Sequence, residues 1–208
     1  MSTKDKVQWV YNSQNNQELT ERYDAWAQEY EQDLDEQFGY IGPEQAADVL
    51  VRYLSTDAKI LDAGAGTGLV GEFLSQRGCQ NIEAMDLSLG MLKQAEQKNV
   101  YRTFHQGVLG EDLSFATASY DAVISVGVFT YGHVGSDAFD ELIRITKTGG
   151  YIIFTVSVGH YKNSNFELKL TALESAGKWK LVETTEPFLC HLKKDTGVQL
   201  QVWVYQVS

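Results

Sequence analysis

Lys59-Ile60-Leu61-Asp62-Ala63-Gly64-Ala65-Gly66-Thr67-Gly68-Leu69 decides how this chain reads. A short apolar run ends in a carboxylate and then breaks into three glycines at alternate positions. The pattern predicts a buried parallel strand turning tightly into a helix. Glycine has no Cβ, so the backbone bends sharply and a ligand lies directly on it. The first N–H groups of the following helix have no intrahelical partner and face such a ligand. A nucleoside-like cofactor is expected there.

Strands and helices alternate outward from this turn. The strand at 59–63 leads to a helix near 68–77, which Gly78 ends. Residues 81–86 read as the second strand, and Ser88 caps a helix through about Lys98. Further strands are expected at 101–106, 120–126 and 151–157, with helices near 136–147 and 165–176. Two last runs, about 179–189 and 198–207, read as an antiparallel pair. Successive βα units predict an α/β fold: a doubly wound, Rossmann-like sheet with helices on both faces.

Upstream, residues 17–37 carry eight acidic side chains and one basic one, Arg22. Leu19, Tyr23, Trp26, Ala27, Tyr30 and Leu34 recur within them at helical spacing. Phe38-Gly39-Tyr40-Ile41-Gly42-Pro43 then breaks the helix, and Pro43 suits the first turn of another running to about Leu54. Residues 1–55 are read as a helical cover and 56–208 as the core of the same domain.

The 208 residues are 43% hydrophobic, enough for one globular domain with a sizeable core. No apolar run approaches the roughly 20 residues that span a bilayer, so no membrane association is expected. Residues 1–6 are polar and lack a signal-peptide apolar segment, so a cytoplasmic location is expected. Two cysteines and four scattered histidines form no metal-binding pattern. The net charge of −11 repels phosphate backbones and argues against nucleic-acid partners. Composition leaves the oligomeric state open.

No Gly-Lys-Ser/Thr follows the turn, which excludes a P-loop. Gly66-Thr67-Gly68-Leu69-Val70-Gly71 does satisfy a dinucleotide fingerprint, with Asp86 twenty residues after Gly66. Counted from Gly64, the tight-turn glycine, the third position is Leu69 and the fingerprint fails. Asp86 ends the second strand, where a carboxylate accepts both hydroxyls of a ribose. Leu87 and Met91 supply apolar surface beside it for an adenine face. Asp86 also suits a helix start, where the dipole favours negative charge.

Residues 61–68 resemble the first motif of class I S-adenosylmethionine-dependent methyltransferases. Met85-Asp86-Leu87-Ser88 with Met91-Leu92 resembles their second-strand motif. Leu113-Ser114-Phe115 and Ser119-Tyr120-Asp121-Ala122-Val123-Ile124-Ser125 resemble the region around strand four. Thr146-Lys147-Thr148-Gly149-Gly150-Tyr151 resembles the turn before strand five, with Thr148 in place of proline. Residues 23–30, Gly68-Leu69-Val70 and Val126-Gly127-Val128-Phe129 are similar to the methyltransferase-like group encoded in the Williams–Beuren region.

The resemblance implies a seven-stranded sheet of order 3-2-1-4-5-7-6 with the last strand antiparallel, and S-adenosyl-L-methionine as cofactor. It implies that Gly64, Ala65 and Gly66 line the methionine part, with Asp62 orienting the loop and holding a water or the ammonium. Asp86 takes the ribose, Leu87 and Met91 flank adenine, and Val126 lies beside the methionine tail. Val108 and Leu109 belong to the segment that meets the adenine edge; the acid usual at its centre is missing here, with Glu111 and Asp112 nearby.

Tyr23, Trp26 and Tyr30 are either an aromatic lid over the cofactor or the apolar face of a packed helix. A sulfonium near aromatic faces gains about 0.5–2 kcal/mol. Methyl transfer is in-line displacement, so a protein mainly aligns the reactants and excludes water. A general base helps when the acceptor must lose a proton. His133, after strand four, is the expected base; His160, after strand five, is the other candidate, and His105 reads as structural. No inserted substrate domain is visible, so a small-molecule acceptor is expected. A cofactor-binding sensor without catalysis and an NAD-dependent oxidoreductase are the alternatives.

Overall fold

Alternation along β1 (Ile60–Ala63) sets the layers, because successive strand side chains point to opposite faces. Ile60 enters one hydrophobic cluster; Leu61 and Ala63 enter another. The computed structural model describes residues 2–130, 134–163, 165–193 and 196–208. The other strands are β2 (Ile82–Asp86), β3 (Thr103–Gln106), β4 (Tyr120–Phe129), β5 (Thr146–Ser157), β6 (Trp179–Thr184), β7 (Phe188–Leu189) and β8 (Gln199–Val207). They form one mixed sheet of order β3-β2-β1-β4-β5-β8-β6, with β7 also paired to β8. β1 to β5 pair in parallel, and β8 runs antiparallel between β5 and β6.

The expected strand order holds, with residues 199–207 in the place of the seventh strand. The run expected over 179–189 is two strands, β6 and β7. Pro187 lies between them and has no N–H for the ladder. β5 begins at Thr146, before the expected Tyr151, because Gly149-Gly150 is absorbed as an irregularity of the strand. A Cβ on Gly150 would lie 2.7 Å from the Asp121 carbonyl oxygen.

Four helices come first: α1 (Thr3–Tyr11), α2 (Asn16–Trp26), α3 (Tyr30–Phe38) and α4 (Gly42–Leu50). α5 (Leu69–Gln76) and α6 (Leu89–Gln97) join α4 on one sheet face, burying Ala46, Leu50, Val70, Leu74, Leu92 and Ala95. α7 (Ala138–Ile145) and α9 (Phe166–Ser175) cover the other face with Phe139, Leu142, Phe166 and Leu170; α8 (Val158–Asn163) precedes α9. Pro43 sits in the first turn of α4, as its fixed φ favours.

Residues 17–37, expected as continuous helix, break at 27–29. The break lets Trp26 turn inward, where its indole N–H donates to Asp33 at 2.6 Å and its ring meets Tyr30 edge-on at 4.8 Å. Asp33 also accepts from Thr3 and Lys6 of α1, each at 2.7 Å, which docks the first helix. No described helix is long and apolar enough to cross a membrane.

Candidate functional site

Strand order reverses between β1 and β4, and open α/β sheets bind ligands at the carboxyl ends of strands beside such a reversal. The glycine turn lies there. The N–H groups of Gly64 and Ala65 both donate to the Met85 carbonyl, at 2.7 and 3.0 Å, and pin the turn to the end of β2. Gly66 adopts φ +54°, which favours glycine, and a Cβ there would meet nothing within 4 Å. Bare backbone therefore faces open space.

Gly66 N–H donates to Asp86 Oδ2 at 2.8 Å, and Ser88 N–H donates to Asp86 Oδ1 at 2.9 Å. Asp86 is buried, which raises its pKa, while the N–H groups of Ser88 and Gly66 oppose the shift.

A cleft with about 760 Å³ of empty space, open mouth included, joins these groups. Its walls include Tyr23, Tyr30, Gly64, Gly66, Asp86, Leu87, Met91, Val108, Leu109 and Val126. Asn16, Leu19, Met85, Gly107, Gly127, Val128 and Val134 complete the described lining. Gly107 belongs to the segment expected at the adenine edge; sequence reasoning assigned no site role to the others. Leu19 stands in the same apolar stripe as Tyr23, one turn earlier, so its signal was present. Asn16 and Val134 reach the cleft through the tertiary path alone.

The cover divides its aromatics. Tyr23 and Tyr30 meet edge-on with centroids 6.3 Å apart at the cleft, and burial raises both phenols above their ordinary range. Trp26 packs behind them with Val10 and Leu19.

Asp62 does not line the cleft; it lies beneath the turn, fully buried. Its Oδ2 accepts from the Tyr101 hydroxyl at 2.6 Å, and Tyr101 in turn accepts from Gly71 N–H at 3.0 Å. Asp62 Oδ1 has no hydrogen-bond partner among the described residues. Burial pushes the carboxyl up to about 7, with the Tyr101 hydrogen bond opposing and the Asp86 charge adding to the rise. Ala65 is buried in the core on the α5 side rather than in the cleft wall. Gly71, which completes the apparent dinucleotide fingerprint, serves packing. A Cβ there would lie 2.2 Å from Tyr101 Cζ.

His133 lies outside the described residues. His160 sits on α8 with its ring 5.4 Å from Phe166, away from the cleft lining, and burial lowers its pKa. His105 is bound to Glu83 at 2.9 Å. Leu113 and Phe115 are held by Arg144 through their carbonyls, at 2.9 Å each, so this motif braces α7. Glu111 and Asp112 are not among the lining residues, and Glu111 reaches Asn16 of α2 at 3.4 Å.

Residues 61–154 match the methyltransferase domain family. The chain belongs to the S-adenosylmethionine-dependent methyltransferases, with the Rossmann-like fold and the cofactor of that class. Methyltransferase-like protein 27 of Homo sapiens is 36% identical over 166 residues, covering 76% of this chain and 66% of that protein. It is the Williams–Beuren-region relative that the motifs at 23–30 and 126–129 resemble. Malonyl-[acyl-carrier protein] O-methyltransferase of Enterobacter lignolyticus is 32% identical over 113 residues, 53% of this chain and 44% of that protein. The chain thus spans about two thirds or less of the length of these curated relatives. The TehB-like SAM-dependent methyltransferase from Corynebacterium glutamicum shares the fold, with a TM-score of 0.65 at 22% identity over 90% of this chain and 99% of that one.

Proposed function

We propose that this chain transfers the methyl group of S-adenosylmethionine to a small, uncharged acceptor. One observation carries the reading: the bare backbone of Gly66 and the carboxylate of Asp86 meet on one cleft, joined at 2.8 Å. The cofactor supplies a methyl group on positively charged sulfur, which leaves as a neutral thioether. Everything else falls to the chain's own residues.

Asp86 presents both carboxylate oxygens at the cleft, acceptors for two adjacent ribose hydroxyls. Leu87 and Met91 flank the adenine, and the backbone of Val108 and Leu109 meets its edge. Gly64 and Gly66 hold the methionine portion beside Val126. Asp62 holds the turn from below through Tyr101. Tyr23 and Tyr30 exclude water and turn neutral aromatic faces toward a cation. Residues 1–55 act as cover and 56–208 as core of one domain. From its place in the sequence after β4, His133 is the proposed general base.

Charge narrows the acceptor. Among the described residues no Lys, Arg or His lines the cleft, and Asp86 supplies negative charge. A free carboxylate, such as the malonyl group in the name of the Enterobacter relative, would find no cationic side chain among the described lining residues. That supports an uncharged acceptor.

Calorimetry with S-adenosylhomocysteine and with NAD tests the cofactor assignment. Binding of the first and not the second is expected; the reverse result would replace methyl transfer with hydride chemistry. A tritiated-methyl screen over small metabolites then separates an enzyme from a silent binding protein, which would transfer no label.

A further inference from the structure

Asp24 lies within the 23–30 stretch, and nothing above gives it a task. It projects from α2 onto the start of α6. Its Oδ1 accepts from Gly90 N–H at 2.7 Å and from the Ser88 hydroxyl at 2.5 Å. The Ser88 oxygen accepts in turn from Met91 N–H at 3.0 Å, while Ser88 N–H is held by Asp86 at 2.9 Å. The donors at this helix start are therefore met by the Asp24 carboxylate from the cover, the Asp86 carboxylate from the cleft and the Ser88 hydroxyl between them.

The approach is built for closeness. A Cβ on Gly90 would stand 2.9 Å from both Asp24 Cα and Asp24 Oδ1. Any larger residue at position 90 would push α2 outward. The residues that this docking presents to the cleft include Leu19 and Tyr23, on the same helix, with Asn16 at its start. On the α6 side it fixes Met91, a cleft residue whose N–H ends the chain of hydrogen bonds.

We propose that Asp24 is a positioning residue for cofactor retention, clasping α2 to the start of α6 so that Leu19 and Tyr23 stay over the cleft. The inference rests on the reading that the cleft holds S-adenosylmethionine. With the clasp removed, bound cofactor escapes by a lifted α2, so the effect falls on release more than on entry.

Release of tritiated S-adenosylhomocysteine, chased with unlabelled compound, is the test. Asp24→Ala is expected to speed release by at least about tenfold. Asp24→Asn keeps the accepting oxygen and is expected to stay within about threefold of the unmodified protein. Gly90→Ala retains the carboxylate but wedges the helices apart, and is expected to behave like Asp24→Ala. Release at the original rate in both Asp24→Ala and Gly90→Ala overturns the proposal, as does Asp24→Asn releasing as fast as Asp24→Ala.

Hydrogen exchange without cofactor gives an independent readout. Amides of residues 16–26 are expected to exchange faster in Asp24→Ala while those of β1 and β4 do not change. Unchanged exchange at 16–26 overturns the clasp even if the unmodified protein binds no S-adenosylhomocysteine, whereas that lack of binding overturns the functional reading alone. If Asp24→Ala does not fold, Gly90→Ala decides both measurements.

Discussion

At the carboxyl ends of β1, β3 and β4 the chain places Gly64, Gly66, Gly107 and Gly127, whereas around α7 and α9 it packs Phe129, Phe139, Phe154, Phe166 and Trp179. In the second region Phe129 stacks on Phe139 at 4.6 Å and Trp179 on Tyr205 at 4.1 Å. The first region buries little and leaves backbone open for a ligand. The second removes large rings from water, each contributing several times what a small side chain does. Ligand recognition and stability are thus drawn from different parts of one sheet, and substitutions should separate them.

Phe139→Ala gives the largest expected effect. Phe139 is fully buried among four other aromatic rings, and its truncation should cost about 3–5 kcal/mol in urea unfolding. Affinity for S-adenosylhomocysteine, measured below the melting range, should not change. A parallel loss of affinity would show that the two regions are coupled.

Asp62 is the exception on the open side, a buried acid under the turn. Its folded-state pKa of about 7 lies above the ordinary 3.8, so the folded protein holds that proton more tightly. The stabilisation is complete below 3.8 and is lost as pH rises through about 7. A shift of this size amounts to at most about 4 kcal/mol between those limits. Asp62→Asn should flatten that slope in unfolding experiments at pH 4 to 8, and an unchanged slope would assign it to another group.

Asp86→Ala should weaken S-adenosylhomocysteine binding by about 2–3 kcal/mol in calorimetry, the loss expected for hydrogen bonds to a charged group. Normal binding would remove the ribose assignment. Gly66→Ala is the mildest change for the fold. A left-handed φ costs a non-glycine residue about 1–2 kcal/mol, and the new methyl group enters open cleft rather than protein. Binding should fall further than stability; equal losses would mean that the turn, not the ligand surface, was damaged.

Local signals carried much of the fold. Apolar runs bounded by glycines located β1, β2 and β4, and Ser88 is the expected cap, accepting from Met91 N–H. What escaped depended on partners far along the chain. The break at 27–29 follows from Trp26 reaching Asp33, and α1 is held by contacts from Thr3 and Lys6 to that same residue. The site shows the same division. Gly66 and Asp86 announced themselves through the turn and the strand end, whereas Val134 reaches the cleft by the route of the chain. Asp62 read as part of the cofactor turn, but burial beneath it is a tertiary outcome.

Gly71 and Tyr101 behave as a lock and its bolt. The hydroxyl bolts the start of α5 to β1, and the missing side chain at position 71 is the slot it slides through. Shrinking the ring at 101 would leave that slot vacant, and an alanine at 71 would then cost little. Tyr101 also gives the buried Asp62 its hydrogen bond, so a smaller residue at 101 would have to be matched at 62 as well as at 71, and the three positions are bound to change as a set.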